Sequence, residues 1–150
     1  MATTRLPKDF RDFLKLLNSH EVEYLLIGGY AIGYHGYPRA TADMDVWVGM
    51  DNKNAEKIVS VLREFGFDLP EIRKEIFLQQ NKIFRMGHAP LRIELLTSVS
   101  GVEFQECFKN RVEDTIDDIK VKIIDLSHLK INKKATGRYK DLDDLENLPN

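Results

Sequence analysis

The sequence predicts an α+β fold, a mixed twisted sheet flanked by helices and closed by two short C-terminal helices. Three observations carry this. Segments with helical spacing of apolar residues are interspersed with short β-branched or alternating runs. Two pairs of those runs follow one another directly, as hairpins do, which argues against a doubly wound parallel sheet. The 150 residues, 43% of them hydrophobic, suffice for one core and one domain over 1–150.

The elements follow in order. Pro7 to Leu17 has Phe10, Phe13, Leu14 and Leu17 at helical spacing, with Pro7 suited to a first turn. Val22 to Ile27 reads as a buried strand ended by Gly28-Gly29, and Tyr30 to His35 as a short helix stopped by Gly36 and Pro38. Asp43 to Val48 alternates. On a strand, Asp43, Asp45 and Trp47 face one way and Met44, Val46 and Val48 the other. Asn54 to Phe65 is an amphipathic helix stopped by Gly66, and Glu71 to Gln79 reads as another helix. Lys82 to Met86 and Leu91 to Leu96 form a strand pair, Val102 to Phe108 a helix, and Arg111 to Thr115 with Lys120 to Ile124 a second pair turning at Asp117-Asp118. Helices over Ser127 to Ala135 and Tyr139 to Leu148, separated by Gly137, close the chain.

The net charge of −2 argues against a broad electrostatic grip on nucleic acid, although Lys130, Lys133, Lys134, Arg138 and Lys140 cluster near the end. No apolar run is long enough to span a bilayer, so no membrane partner is expected. The N-terminus lacks an apolar signal core, and Cys107 is alone, which excludes an internal disulfide. A reducing cytoplasm fits these features. No histidine is spaced with another histidine or with Cys107 as a zinc ligand set.

Asp43 and Asp45 carry the sharpest chemical signal. Two carboxylates at i and i+2 on one strand face lie about 7 Å apart and repel each other. A divalent cation relieves that repulsion and takes their hard oxygens. An exposed strand end with solvated acids explains the same residues. The strand–Gly28-Gly29–helix layout offers backbone N–H groups to a phosphate, or it is a plain tight turn. Glu94 stands as an acid within an apolar strand, on the face of Arg92 and Leu96. It is a third metal carboxylate, or it pairs with Arg92 or a cross-strand partner.

Leu26-Ile27-Gly28-Gly29-Tyr30-Ala31, His35-Gly36-Tyr37-Pro38-Arg39-Ala40-Thr41 and Asp43-Met44-Asp45-Val46 together resemble the nucleotidyltransferase superfamily with the DNA polymerase β-type palm. Within it the chain is similar to small prokaryotic members, the abortive-infection toxin type and the lincosamide-type antibiotic nucleotidyltransferases. The tail from Asn132 to Leu145 resembles one common in the toxin-type group.

The resemblance implies a nucleoside triphosphate substrate, Mg²⁺ (or Mn²⁺), and transfer of a nucleotidyl group to an acceptor hydroxyl with release of pyrophosphate. It places Gly28 and Gly29 at the triphosphate, Asp43 and Asp45 on both metals, and Glu94 on the metal that activates the hydroxyl. Glu94 departs from the family's usual Asp and is one methylene longer. Arg39 and Thr41 flank the acids, as phosphate-positioning or loop-ordering residues. Lys133 and Arg138 resemble tail residues that approach the nucleotide, or they form a solvated basic face; Asp141 orients one of them or acts as an additional base, and Asp144 is equally a surface acid. Tyr30 and Trp47 stack on a base or pack in the core.

Three functions compete. They are an enzyme, a catalytically weak nucleotide-binding module acting in a toxin–antitoxin pair, and a structural interaction protein. The last leaves the strand acids and the glycine turn without a role. Antibiotic-modifying relatives generally carry an additional helical domain that this chain lacks. The expected acceptor is therefore RNA or protein first, with an antibiotic as a further alternative, and a homodimer or a cognate partner protein completes the site.

Overall fold

A computed structural model of the chain describes residues 6–38, 41–88 and 91–150, and for His88 the backbone alone. Arg39 lies outside the described residues.

Six strands, β1 (Tyr24–Ile27), β2 (Asp43–Val48), β3 (Ile83–His88), β4 (Leu91–Leu96), β5 (Val112–Ile116) and β6 (Ile119–Ile123), form one sheet in the order β3-β4-β2-β1-β6-β5. The pairs β2/β4 and β1/β6 run parallel, and the other three antiparallel. The sheet is mixed, as the hairpin pattern predicts.

One face carries Leu26, Met44, Val46, Ile93, Leu95, Met86 and Ile123, all buried. Helices α1 (Lys8–Ser19) and α3 (Asn52–Phe65) cover it with their apolar stripes. A chain of ring contacts joins them to the sheet. Phe13 meets Phe65 edge-on at 5.1 Å, Phe65 stacks on Phe67, and Phe67 reaches Phe84 of β3. Asp51 caps α3 by accepting from Asn54 N at 2.8 Å, and Gly66 ends it in a left-handed conformation that a side chain resists.

On the other face Trp47 packs edge-on against Phe104 of α4 (Phe104–Lys109). Helices α5 (Leu126–Thr136) and α6 (Tyr139–Asn147) pack together, with Asp125 capping α5. No helix among the described residues is long and apolar enough to cross a membrane.

Two boundaries depart from the sequence reading. Glu71 to Gln79 is not an α-helix but a 3₁₀ turn over Lys74–Leu78, anchored by the buried Phe77. The segment buries too few residues per turn to sustain a longer helix. Helix α2 spans Gly28–Tyr34, so the two glycines are its first residues rather than a turn ahead of it.

Candidate active site

Strand register builds the site. One transverse row runs Ile27–Asp45–Glu94–Arg85 across β1, β2, β4 and β3, and the next pairs Asp43 with Arg92 and Arg92 with Gly87. Opposed residues share a face, so Asp43, Asp45, Glu94, Arg85 and Arg92 all lie on one side of the sheet.

The glycine turn is seated on this row. A Cβ on Gly28 would stand 2.4 Å from Asp45 Oδ2, and the residue has φ +65°. A Cβ on Gly29 would stand 2.6 Å from Thr41 Oγ1. Only glycine lets the start of α2 lie this close to Asp45 and Thr41. Thr41 donates to the Asp43 carbonyl at 3.2 Å, which supports its loop-ordering reading.

The three acids differ in their partners. Arg92 Nε donates to Asp43 Oδ1 at 3.2 Å, and Arg85 Nε to Glu94 Oε1 at 3.3 Å. Asp45 has no ion-pair partner among the described residues. Burial, then the charges of Glu94 and Asp43, push its carboxyl up to about 6, against the opposing pull of Lys140 and Lys133.

The tail forms a second charged group. Lys133 is 5% exposed and lies 3.1 Å from Asp141 and 3.4 Å from Asp144, which are 0% and 1% exposed. Arg138 adds a bond from Nε to Asp141 at 2.8 Å, and its backbone N–H donates to the same carboxylate. Burial alone would raise the Asp141 carboxyl; hydrogen bonds from Arg138, Thr136 and Lys133 overcome it and hold the group well below the usual carboxylate range.

Lys133 is thus not on a solvated basic face, and Asp144 is not a surface acid. The inward stripe of α6 and its C-cap is Asp141, Asp144 and Leu148, an i, i+3, i+7 pattern whose first two members are acidic. That stripe was the available sequence signal for Asp144. Arg85 was foreseeable only as an unnamed cross-strand partner of Glu94, because its register depends on the hairpin.

The remaining candidates fall to packing. Tyr30 meets Phe10 edge-on, Trp47 is buried, and His35 donates to the Ile124 carbonyl at 2.7 Å. Cys107 is buried, which pushes its thiol up to about 12.

Among the described residues no three His, Cys, Asp or Glu side chains stand grouped as a ready-made metal cage. The donor chemistry nevertheless fits a divalent cation. Three hard carboxylates share one face, and the burial and then the repulsion that raise Asp45 are what such a charge offsets. Arg92 and Arg85 each engage one oxygen of Asp43 and Glu94, which leaves the second oxygen of each carboxylate for a metal.

Comparison with known proteins agrees with the fold. Three solved structures share the fold. The lincosamide antibiotic adenylyltransferase LnuA, lincomycin-bound, aligns with TM-score 0.58 at 15% identity, over 98% of this chain and 97% of its own. A candidate nucleotidyltransferase from Thermotoga maritima aligns with TM-score 0.57 at 14% identity, over 91% of this chain and 88% of its own. An antigenic nucleotidyltransferase-like protein from Paracoccidioides brasiliensis gives 0.55 at 16%, over 92% and 72%. No curated protein matches. The family described as nucleotidyl transferase of unknown function (DUF2204) matches residues 7–150, and the chain belongs to that family.

Proposed function

We propose that the protein is a Mg²⁺- or Mn²⁺-dependent nucleotidyltransferase that moves a nucleoside monophosphate from a nucleoside triphosphate to an acceptor hydroxyl. The observation that carries this is Asp45, which has no ion-pair partner among the described residues, is pushed up to about 6, lies against the glycine start of α2, and is flanked by Asp43 and Glu94. Asp43 and Asp45 would hold the metal, joined by Glu94, and the metal would neutralise charge on the reacting phosphate. Gly28 and Gly29 would receive the triphosphate at the helix start. Arg138, whose side chain is well exposed, and Lys140 supply positive charge at Asp45, with Arg39 a further candidate.

The acceptor oxygen bonds to the α-phosphorus while the bond from that phosphorus to the bridging oxygen breaks. Pyrophosphate leaves with the electron pair. The hydroxyl proton passes to a carboxylate, for which Glu94 is our candidate, and then to water.

Lys133 is assigned a different part from the one first expected. Its ammonium is committed to Asp141 and Asp144, so it supports the reaction by fixing α6 and contributing field at Asp45 rather than by free reach to phosphate.

The expectation of a macromolecular acceptor rested partly on the lack of a second helical lobe. That argument falls, because this chain spans 97% of a lincomycin-bound adenylyltransferase. An antibiotic acceptor thus remains as a second reading, and the choice has to come from the side chains around the acids. A toxin–antitoxin role belongs to the same proposal with the resemblance of the tail as its support, and a cytoplasmic setting with the lone Cys107 as its support.

The test is calorimetric titration of each triphosphate with and without Mg²⁺, followed by α-labelled triphosphate with pools of RNA, protein and antibiotics. Metal-dependent binding with label on an acceptor is expected. Binding without turnover would favour the nucleotide-binding module, and metal-independent binding would overturn the proposal.

A further inference from the structure

Arg85 and Arg92 are under-used by the fold. Their side chains are 60% and 43% exposed. Each makes one hydrogen bond among the described residues, from Nε to a carboxylate, although a guanidinium carries five donors. Arg63, on α3, is lightly engaged too, through a 3.7 Å ion pair with Asp68, but three other guanidiniums are more fully committed. Arg138 bonds twice to Asp141, Arg11 binds both the backbone and the side chain of Asp117, and Arg111 lies 4.2 Å over the Phe108 ring while bonding to Glu113. The outer, Nη edges of Arg85 and Arg92 remain open for a planar two-pronged contact, the geometry that suits phosphate.

Their place in the sheet says which reactant they meet. Gly28 abuts Asp45 from the β1 side. Arg85 and Arg92 lie on the opposite side, on β3 and β4. Displacement at a phosphorus brings the incoming oxygen in roughly opposite the leaving group. With the departing pyrophosphate at the glycine turn, the acceptor enters over β4 and β3. There it meets two guanidiniums and, beside Arg85 on the same face, the half-exposed Ile83.

Resting on the transferase reading above, we propose that Arg85 and Arg92 are acceptor-binding residues that grip the phosphates next to the reacting hydroxyl of a polynucleotide end. The two occupy diagonal positions on paired strands, about 7 Å apart, a span comparable with one nucleotide step of an extended single strand. The ledge lies at the sheet edge, since β3 is the outermost strand. Small ligands usually bind largely enclosed. A polynucleotide brings its own bulk and successive charges, and two local arginines hold it without a broadly basic protein. Ile83 offers an apolar rest for a sugar or base.

The test is binding of a short, dye-labelled oligoribonucleotide to the full chain, with Mn²⁺ and a non-hydrolysable triphosphate filling the donor side. The same oligonucleotide with neutral methylphosphonates at its two terminal linkages is the control. The parent protein should bind the charged probe at least tenfold more tightly. Arg85→Gln with Arg92→Gln should erase that preference, lower the salt slope by about 1.4, and leave triphosphate affinity within twofold. Equal binding of both probes by the parent would overturn the proposal. So would a mononucleotide binding as tightly as the oligonucleotide, or lincomycin binding in place of either. Loss of triphosphate affinity in the double variant would put the arginines on the donor side and overturn it too. If the parent binds no triphosphate with Mn²⁺, the transferase reading itself fails, and this inference with it.

Discussion

The carboxylate row and the C-terminal charge cluster place several acids and cations close together, with opposite energetic results. Around Lys133, two buried acids share a buried ammonium, and Arg138 closes the group from outside. The Asp141 carboxyl is accordingly held low. Around Asp45, burial and two neighbouring acids act together, and the carboxyl is pushed up to about 6. One region has its charges matched internally, as a clamp between helices requires. The other leaves a charge deficit where a ligand could supply the missing cation. Unmatched charge in a partly buried site marks function more often than matched charge does.

The largest effect should come from the unmatched centre. Asp45→Asn removes a metal-holding oxygen from the middle of the row, and turnover should fall about 10³-fold in steady-state assays. The metal-free protein should become more stable near neutral pH. The sign follows from the raised carboxyl. Below the ordinary aspartate range the group is protonated in both folded and unfolded chains and has no effect. As pH rises from there to about 6, the unfolded chain ionises while the folded state holds its proton, so stability is lost across that interval and the loss is complete above it. A shift of this size corresponds to at most about 3 kcal/mol. Thermal melts without metal should therefore show the variant pulling ahead of the parent between about pH 4 and 6 and keeping that lead above it. Parallel melting curves across that range would mean that Asp45 has a cation partner in solution.

The matched region should respond in the other direction. Lys133→Met leaves Asp141 and Asp144 buried against an apolar chain, and stability should fall by about 3–5 kcal/mol in urea titration. Asp141→Asn should show the pH dependence opposite to that of Asp45. A carboxyl held low contributes stability above its ordinary range and loses it only in acid, so the variant should approach the parent as pH drops below about 4. If Lys133→Met melts like the parent while turnover collapses, Lys133 reaches the phosphate directly and the clamp reading is wrong.

The same contrast explains what could be read from the sequence. Asp43 and Asp45 were legible because they are two residues apart on an alternating strand, and Gly28 and Gly29 because they interrupt an apolar run. Register was not. That Glu94 stands opposite Asp45, and Arg85 opposite Glu94, follows from how β2, β4 and β3 align, which local spacing does not encode. The tail was misread for a related reason. Lys133 looks like a surface residue among Lys130 and Lys134 until α6 packs on α5 and brings its acidic stripe inward. The short 3₁₀ turn at Lys74–Leu78 shows that helical spacing over one or two turns does not fix the helix type.

An intermediate effect is expected at the contact between the glycine turn and the row. Gly28→Ala forces a left-handed backbone on a residue with a Cβ and drives that carbon to 2.4 Å from Asp45 Oδ2. The backbone alone costs about 1–2 kcal/mol, and the contact adds to it. Melting temperature should fall, and triphosphate affinity should fall further than stability explains, because both the helix start and the Asp45 carboxylate have to move. A variant with parental affinity would separate the glycine turn from the triphosphate.

The smallest effect divides the row itself. On the sequence alone, either aspartate should relieve repulsion when neutralised. Asp43, however, accepts from Arg92, so removing its charge relieves one repulsion and breaks one attraction. Both groups are partly exposed, and pairs of this kind contribute about 0–1 kcal/mol. Asp43→Asn should accordingly change the metal-free stability by less than about 1 kcal/mol at pH 7, well short of the gain at Asp45→Asn. The difference between the two isosteric variants, measured in the same urea titration, isolates the arginine. Repeating it in an Arg92→Gln background makes the comparison a double-mutant cycle. Without the guanidinium, Asp43 becomes a second unmatched acid, and Asp43→Asn should now stabilise the protein as Asp45→Asn does. If Asp43→Asn has the same effect with and without Arg92, the 3.2 Å pair is not formed in solution, and the asymmetry of the row has another cause.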